Sequence, residues 1–276
     1  MCRYNKDEYN EFLYNVFKGY KKRKAEGTLY SKNDFVPQNI INFYYGICDE
    51  PTFNLLVEKF KLKYIYNENM LESVSSSNER EGLNSVYDYI QNYKNKSNIN
   101  LFNLLNIHQN LYSKVPYKEF GGKFRNEPAF LTNSDIQTEE WNNIPKRFSE
   151  LYVRVNELVK KGLNLHNDKN SNELIEYINL CLKLKCELIK IHPFADGNGR
   201  SIRAFTNLLF TIANIPPVYV KNSERKEYLE AMHEAMADKK FNKIEKFYYY
   251  KICDSIYELE IEPNFKKDKE KKLTLK

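Results

Sequence analysis

HPFADGNGRSIR, residues 192–203, is the stretch on which the reading of this sequence turns. A chain with only nine glycines and four histidines gathers two of the glycines, one histidine, an acid, an amide and two arginines here. Upstream, Leu174, Ile175, Ile178, Cys181, Leu182, Leu188 and Ile189 form an apolar stripe at helical spacing. Downstream, Ile202, Phe205, Leu209 and Ile212 form another. The stretch is therefore expected to be a tight loop between two helices that ends at a helix N-terminus. Such a terminus turns unpaired backbone N–H groups and the positive end of the helix dipole toward one spot, and glycines let an anion approach closely. It reads as a phosphate seat formed by Gly197, Asn198 and Gly199.

The side chains around the seat fit a polyphosphate. Arg200 and Arg203 stand three residues apart, on one face of the first helical turns, with Asn207 on the same face. Asp196 is a hard oxygen ligand suited to a Mg²⁺ ion that keeps several of its waters. His192 is the one titratable base of the loop, and its ordinary pKa near about 6.5 suits proton abstraction at neutral pH. Phe194 is expected to bury its ring and fix the loop. Taken singly these are ordinary turn, cap and surface residues; their conjunction at one helix start points to polyphosphate chemistry.

The rest of the chain sets the frame. Its 276 residues suit one large domain or a core with an extension, and a hydrophobic fraction of 42% that includes 22 Tyr and 17 Phe predicts a folded chain even with 29% charged residues. The five cysteines, Cys2, Cys48, Cys181, Cys186 and Cys253, show no Cys-x-x-Cys spacing, which argues against a disulfide framework and a structural zinc site and for a reducing compartment. The first residues contain no apolar run of signal-peptide length, and no segment approaches about 18 uninterrupted apolar residues, so a cytoplasmic protein without a membrane partner is expected. The net charge of +6 is spread through interleaved Lys and Glu, with only the tail FKKDKEKKLTLK concentrated, so a solvated tail is expected and not a nucleic-acid partner.

The fold class expected is mostly α. Helical patterns run through PTFNLLVEKFKLKYIYNENML, with Pro51 in the first turn, then EGLNSVYDYIQNY, NLFNLLNIHQNLY and EEWNNIPKRFSELYVRVNELVKKG. Between Gly121 and Thr138, GGKFRNEPAFLTNSDIQT changes to paired glycines and short β-compatible runs, which reads as a small β-hairpin flap.

HPFADGNGRSIR resembles the signature His-x-Phe-x-[Asp/Glu]-Gly-Asn-Gly-Arg-x-x-Arg of the Fic family, with every fixed position present. GGKFR followed by EPAFL resembles that family's hairpin flap, EEWNNIPKRFSEL the helix start after it, and RKEYLEAMHEA its closing helix near the nucleotide base. The resemblance covers about Ile65 to Phe247. It implies a Fic-type helical core and a division into an N-terminal helical extension (1–62), a Fic domain with an inhibitory helix (63–250), and a helix end with a basic tail (251–276). It also implies ATP as substrate, Mg²⁺ as cofactor and transfer of AMP to a Tyr, Thr or Ser hydroxyl of a target protein. Within that scheme His192 takes the hydroxyl proton, Asp196 holds Mg²⁺, and Gly197, Asn198 and Gly199 cradle phosphates that Arg200 and Arg203 grip. Phe194 supports the loop, and the target docks by β-augmentation on flap residues Gly122, Lys123, Phe124 and Arg125. Tyr228 is the candidate for the adenine pocket, with an ordinary core role as its alternative. Relatives that transfer UMP, phosphocholine or phosphate, or that remove AMP, leave the donor and direction open, and an idle interaction protein or DNA-binding regulator is the rival of another class.

Many Fic proteins carry a restraining helix with the pattern [Ser/Thr]-x-x-x-Glu-[Gly/Asn], whose glutamate pairs with the second signature arginine. SNEREG, residues 77–82, matches the pattern and offers Glu81. ENMLES, residues 68–73, departs at both ends, with Glu68 for Ser/Thr and Ser73 for Gly/Asn, and offers Glu72. Ile65, Met70 and Leu71 give Glu72 apolar anchors that residues 75–82 lack, which favours Glu72. Ser77 with Glu79 to Glu81 reads otherwise as an N-cap and an acidic first turn.

Overall fold

The computed structural model describes residues 51–259 apart from 75, 132–133, 166–170 and 257. Most of the expected N-terminal extension and the basic tail lie outside the described residues. Within them the chain forms eight α-helices: α1 Pro51–Leu71, α2 Ser77–Gln91, α3 Phe102–Leu111, α4 Ile144–Asn164, α5 Ser171–Ile191, α6 Asn198–Ile212, α7 Arg225–Ala237 and α8 Asn242–Ile256. The boundary expected between 62 and 63 falls inside α1, which runs across it without a break.

Helix α6 is the axis. Every residue from Arg200 to Ile212 is buried, because α2, α3, α4 and α5 pack around it. A helix enclosed on all sides has no polar face to spare, so its polar residues must find partners inside. Asn207 shows this. Its amide donates to the Val218 carbonyl at 2.9 Å and accepts from the Val218 N–H at 3.0 Å, latching the extended segment after α6 onto the helix. Its amide is thereby committed to the backbone of Val218.

The other helices carry one apolar face each. In α4, with Pro145 in its first turn, Ile144, Phe148, Leu151, Val155, Leu158, Val159 and Gly162 are the buried stripe. A Cβ at Gly162 would lie 2.8 Å from Ile212 and Tyr177, so this glycine sets how closely α4 meets its neighbours. Gly82 of the SNEREG motif has the same kind of role, since a Cβ there would meet the Leu111 carbonyl oxygen at 1.9 Å. Helix α2 opens on Ser76, one residue before the expected cap, whose hydroxyl accepts from the Glu79 N–H at 3.4 Å.

The flap departs from expectation. Among the described residues there are no strands, and the hairpin is reduced to one antiparallel bridge, Phe130 with Gln137, assisted by a Thr138 hydroxyl bond to the Ala129 carbonyl. Its first half is anchored inward by side chains that a period-two pattern does not reveal. No helix among the described residues is long and apolar enough to cross a membrane.

Candidate functional site

The loop between α5 and α6 is shaped by its own polar atoms. His192 ends α5 in the left-handed region, at φ 50°, with its N–H still donating to the Leu188 carbonyl at 2.9 Å. Gly197 follows at φ 73° as the N-cap of α6, a conformation that favours a residue without Cβ. Asn198, next along the chain, turns its side chain back onto Phe194, accepting from its N–H at 2.9 Å and donating to its carbonyl at 2.7 Å. The amide expected to reach phosphate therefore holds the loop's shape instead. Phe194 is buried as expected and stacks on His108, with ring centroids 3.7 Å apart and 10° between planes.

Burial lowers the His192 pKa below the ordinary histidine value, the nearby Arg125 charge adds to this, and the Ile189 carbonyl only partly opposes it. The ring is thus held neutral, as a base must be before it takes a proton.

Asp196 is fixed from α3 and its sequel. Tyr112 donates its hydroxyl to Asp196 Oδ2 at 2.7 Å, and His108 Nε2 meets the Asp196 carbonyl at 2.9 Å while its Nδ1 accepts the Gly122 N–H at 2.8 Å. That arrangement requires the Nε2–H tautomer and ties flap, α3 and loop together. Burial drives the His108 pKa down to about 4, so the ring stays neutral. Burial also works to raise the Asp196 carboxyl, but the Tyr112 hydroxyl, the Gly197 N–H and Arg200 outweigh it and hold it below its usual range. Its side chain remains 77% exposed. No group of three or more metal-ligating side chains occurs among the described residues. One open, ionised carboxylate fits a Mg²⁺ ion that draws its other ligands from phosphate and water.

Acids from the N-terminal helices meet both signature arginines. Arg203 Nε lies 2.6 Å from Glu68 Oε2, and its Nη1 lies 2.8 Å from Glu72 Oε1. Arg200 Nη1 lies 2.6 Å from Glu79 Oε2, with Asp196 3.7 Å from Nη2. Arg200 is 2% exposed, so it braces α2 against α6 more than it faces solvent. Glu81 is exposed and reaches neither arginine. Glu72 follows the last residue of α1, an unfavourable place for an acid by that helix's own dipole, yet its carboxylate stands over the start of α6: a Cβ on Gly199 would lie 2.2 Å from Glu72 Oε1. Burial pushes the Glu72 carboxyl up, but Arg203 outweighs it and holds it below its usual value.

The end of α1 explains how a non-matching motif supports this geometry. Val74 N–H donates to the Asn69 carbonyl at 2.9 Å and Ser73 N–H to that of Met70 at 3.2 Å, the paired bonds of a Schellman cap. Ser73 takes φ 57° there, where the family pattern has Gly or Asn. Phe60, Tyr64, Ile65 and Leu71 dock α1, whereas Met70, an expected anchor, is exposed.

Three expected contributors sit differently. Arg125 is 5% exposed, and its guanidinium caps the C-terminus of α5 and the flap: Nε donates to the His192 carbonyl at 2.7 Å, Nη1 to Glu127 at 2.7 Å, and Nη2 to Ile191 at 3.4 Å and to Glu139. It is turned inward and is not offered to a docking segment. Phe124 packs edge-on against Phe148, and Gly122 is tied to His108, which leaves Lys123 as the exposed member of the group. Tyr228 is core: its hydroxyl accepts from buried Lys185 at 2.6 Å, and α7 instead sends Ala235 and Met236 to a cavity of about 650 Å³ that Thr138, Cys186 and Ile191 also line. A second cavity of about 450 Å³ lies against Asp196, lined by Tyr112, Tyr117, Phe120 and Phe124. Sequence reasoning did not find His108, Tyr112 or Glu79 as site residues, and it met Glu68 only as a mismatch. The signal for Glu68 was its i,i+4 spacing to Glu72, which puts both acids on one helix face.

The Fic/DOC family model matches residues 98–210. Among curated proteins the chain is similar to "Protein adenylyltransferase Fic" of Nematostella vectensis, 24% identical over 169 residues and covering 59% of this chain and 35% of that protein. The protein of the same name from Drosophila mojavensis is 28% identical over 158 residues, covering 57% and 28%. The chain thus spans about a third of the length of these relatives. Among solved structures it is similar to Fic-1 (aa134–508) from C. elegans, TM-score 0.63 at 16% identity, covering 80% of this chain and 68% of that one. A Fic domain containing signaling protein from Bacteroides thetaiotaomicron gives TM-score 0.60 at 17% identity, covering 80% and 97%. These likenesses show the fold.

Proposed function

We propose, for a chain whose residues 98–210 form a Fic/DOC family domain, that it transfers AMP from ATP to a hydroxyl side chain of a target protein and restrains itself through Glu72. The observation that carries the reading is the carboxylate of Glu72 at the start of α6, 2.8 Å from Arg203. The chain's own acid fills a site suited to an anion, so a phosphate group would compete for the same donors.

In the reaction, the Nε2 of neutral His192 accepts the proton of the target hydroxyl. The hydroxyl oxygen bonds to the α-phosphorus, the bond from that phosphorus to the α–β bridging oxygen breaks, and pyrophosphate leaves. The backbone N–H groups at the start of α6 and the Nη edge of Arg203 hold the phosphates while charge builds on them. Asp196, held by Tyr112, would carry Mg²⁺, which supplies charge neutralisation on the polyphosphate. With Arg125 and Phe124 turned inward, the target segment meets the exposed outer part of the flap, where Asn126 and Phe130 face solvent. A reducing compartment such as the cytoplasm suits the buried free thiols of Cys181 and Cys186.

The test is incubation with ATP labelled at its α-phosphate and, separately, with UTP and CDP-choline, reading label on the chain itself and on candidate targets. Transfer from ATP that is lost in His192→Ala, with Mg²⁺-ATP still bound, is the expected result. Label from another donor only, or an unimpaired His192→Ala variant, would overturn it.

A further inference from the structure

We propose that Glu68 is a positioning residue for Arg203: it grips the Nε edge of the guanidinium permanently, so that release of Glu72 alone presents the Nη edge to a phosphate. This rests on the reading that the start of α6 takes the phosphates of ATP.

The two acids hold one arginine in different ways. Glu68 is 0% exposed and lies 2.6 Å from Nε, whereas the Glu72 side chain is 37% exposed and lies 2.8 Å from Nη1. Glu72 also stands over Gly199, where an anion at the helix start would sit. An incoming phosphate therefore meets Glu72 and not Glu68, which is buried against the Nε edge of the guanidinium. Glu72 can exchange its pair for hydration; Glu68 would become a buried, uncompensated charge.

The planar guanidinium makes the Nε contact directional. A bond at Nε fixes the plane and hence where both Nη groups point. Nη2 of Arg203 is buried without a partner, so one donor is already unspent while Glu72 occupies the other. Holding the plane in advance removes the rotamer cost that a long free side chain would bear on binding. The helix that carries Glu68 is also well anchored. Phe60, Tyr64, Ile65 and Leu71 are buried along α1, and Arg225 Nε donates to the Leu71 carbonyl at 3.0 Å. Activation is then a movement of the Glu72 side chain over a docked α1, not departure of the helix. The family pattern has Ser or Thr at the position of Glu68, so this second acid is a feature of this chain's own sequence.

The test is a cycle in the Glu72→Gly background, measuring dissociation constants for Mg²⁺-ATP and for AMP by calorimetry. Glu68→Gln should weaken ATP at least tenfold and leave AMP unchanged, since only the longer nucleotide reaches Arg203. Arg203→Lys should do the same, and combining the two should add nothing further. Full additivity, equal losses for ATP and AMP, or unchanged ATP affinity would overturn the proposal. So would activation by Glu68→Gln with Glu72 intact, which would make Glu68 a second brake. If Glu68→Gln does not fold by circular dichroism, Glu68→Asp, which keeps the charge and withdraws it by one methylene, takes its place with the same outcomes. If the Glu72→Gly parent binds no ATP, the phosphate reading itself fails and the proposal falls with it; ATP bound but indifferent to Glu68 defeats the proposal alone.

Discussion

Replacing Arg125 by Met separates two accounts of the flap. In the structure its guanidinium makes well-formed bonds at 2.7 Å to the carbonyls of His192 and Glu127, with further contacts to Ile191 and Glu139. A hydrogen bond from a charged donor contributes about 1.5–3 kcal/mol, so the two short bonds alone amount to about 3–6 kcal/mol. Two effects reduce this. Glu127 is exposed, so water can satisfy its carbonyl, and Met removes the cost of burying a guanidinium. A net loss of about 2–4 kcal/mol is expected, read from urea unfolding followed by circular dichroism with an unchanged denaturant slope.

The same substitution should also lower turnover at saturating ATP and target. The His192 carbonyl is one of the groups Arg125 holds, and His192 occupies a left-handed conformation that is uncommon for a residue with a Cβ. Arg125→Lys should recover only part of both losses, because an ammonium cannot span carbonyls on α5 and the flap together. Were Arg125 instead a docking residue, Arg125→Met would raise KM for the target and leave stability untouched. A stability loss below about 1 kcal/mol with unchanged turnover would refute the structural account.

Glu72→Gly should raise automodification at least tenfold, and Glu81→Gly should leave it near wild type; activation by Glu81→Gly alone would reverse the assignment. Tyr112→Phe should weaken Mg²⁺-ATP several-fold while metal-free ATP is unaffected, as read by calorimetry, because it strips one stabilising donor from the Asp196 carboxylate. Ser73→Gly should stabilise the chain by about 1 kcal/mol by relieving a left-handed serine, and a loss of stability would show that the Ser73 side chain has a partner of its own. His108, with its pKa near 4 in the fold against an ordinary value of about 6.5, binds its proton more weakly folded than unfolded, so its contribution is present above about pH 6.5 and is lost as pH falls toward 4. That amounts to about 3 kcal/mol, and His108→Gln should flatten the acid limb of a stability–pH series; an unchanged limb would place the titration elsewhere.

The parts of this molecule that were legible in its sequence are those in which local pattern and tertiary demand agree. The stripes flanking residues 192–203 predicted α5 and α6 because both helices are buried where apolar residues recur, and Phe194 was placed correctly for the same reason. The charged and polar residues were harder. Arg125 lies between paired glycines and an Asn-Glu-Pro turn, which reads as an exposed hairpin, yet unpaired carbonyls at the end of α5 draw its guanidinium inward. Asn198 and Asn207 stand near the loop in sequence, but each amide completes backbone bonds that the loop and the α6 latch would otherwise leave unmet inside the protein.

The two candidate restraining motifs show why spacing alone misleads. SNEREG satisfies the pattern, but the structure accounts for its members one at a time: Gly82 by the approach of α2 to Leu111, Glu79 by Arg200, and Glu81 by solvent. ENMLES fails the pattern at both ends, and the structure accounts for each departure separately. Ser73 adopts the left-handed φ that Gly or Asn would take without strain, and Glu68 supplies from the interior a partner for Arg203. A pattern of residue types therefore stands in for two conditions, a helix that can end in a left-handed turn and an acid aimed at the second arginine. Any sequence that meets both can carry the same contact, and one that puts a second acid four residues upstream can pair with the same arginine at two of its nitrogens.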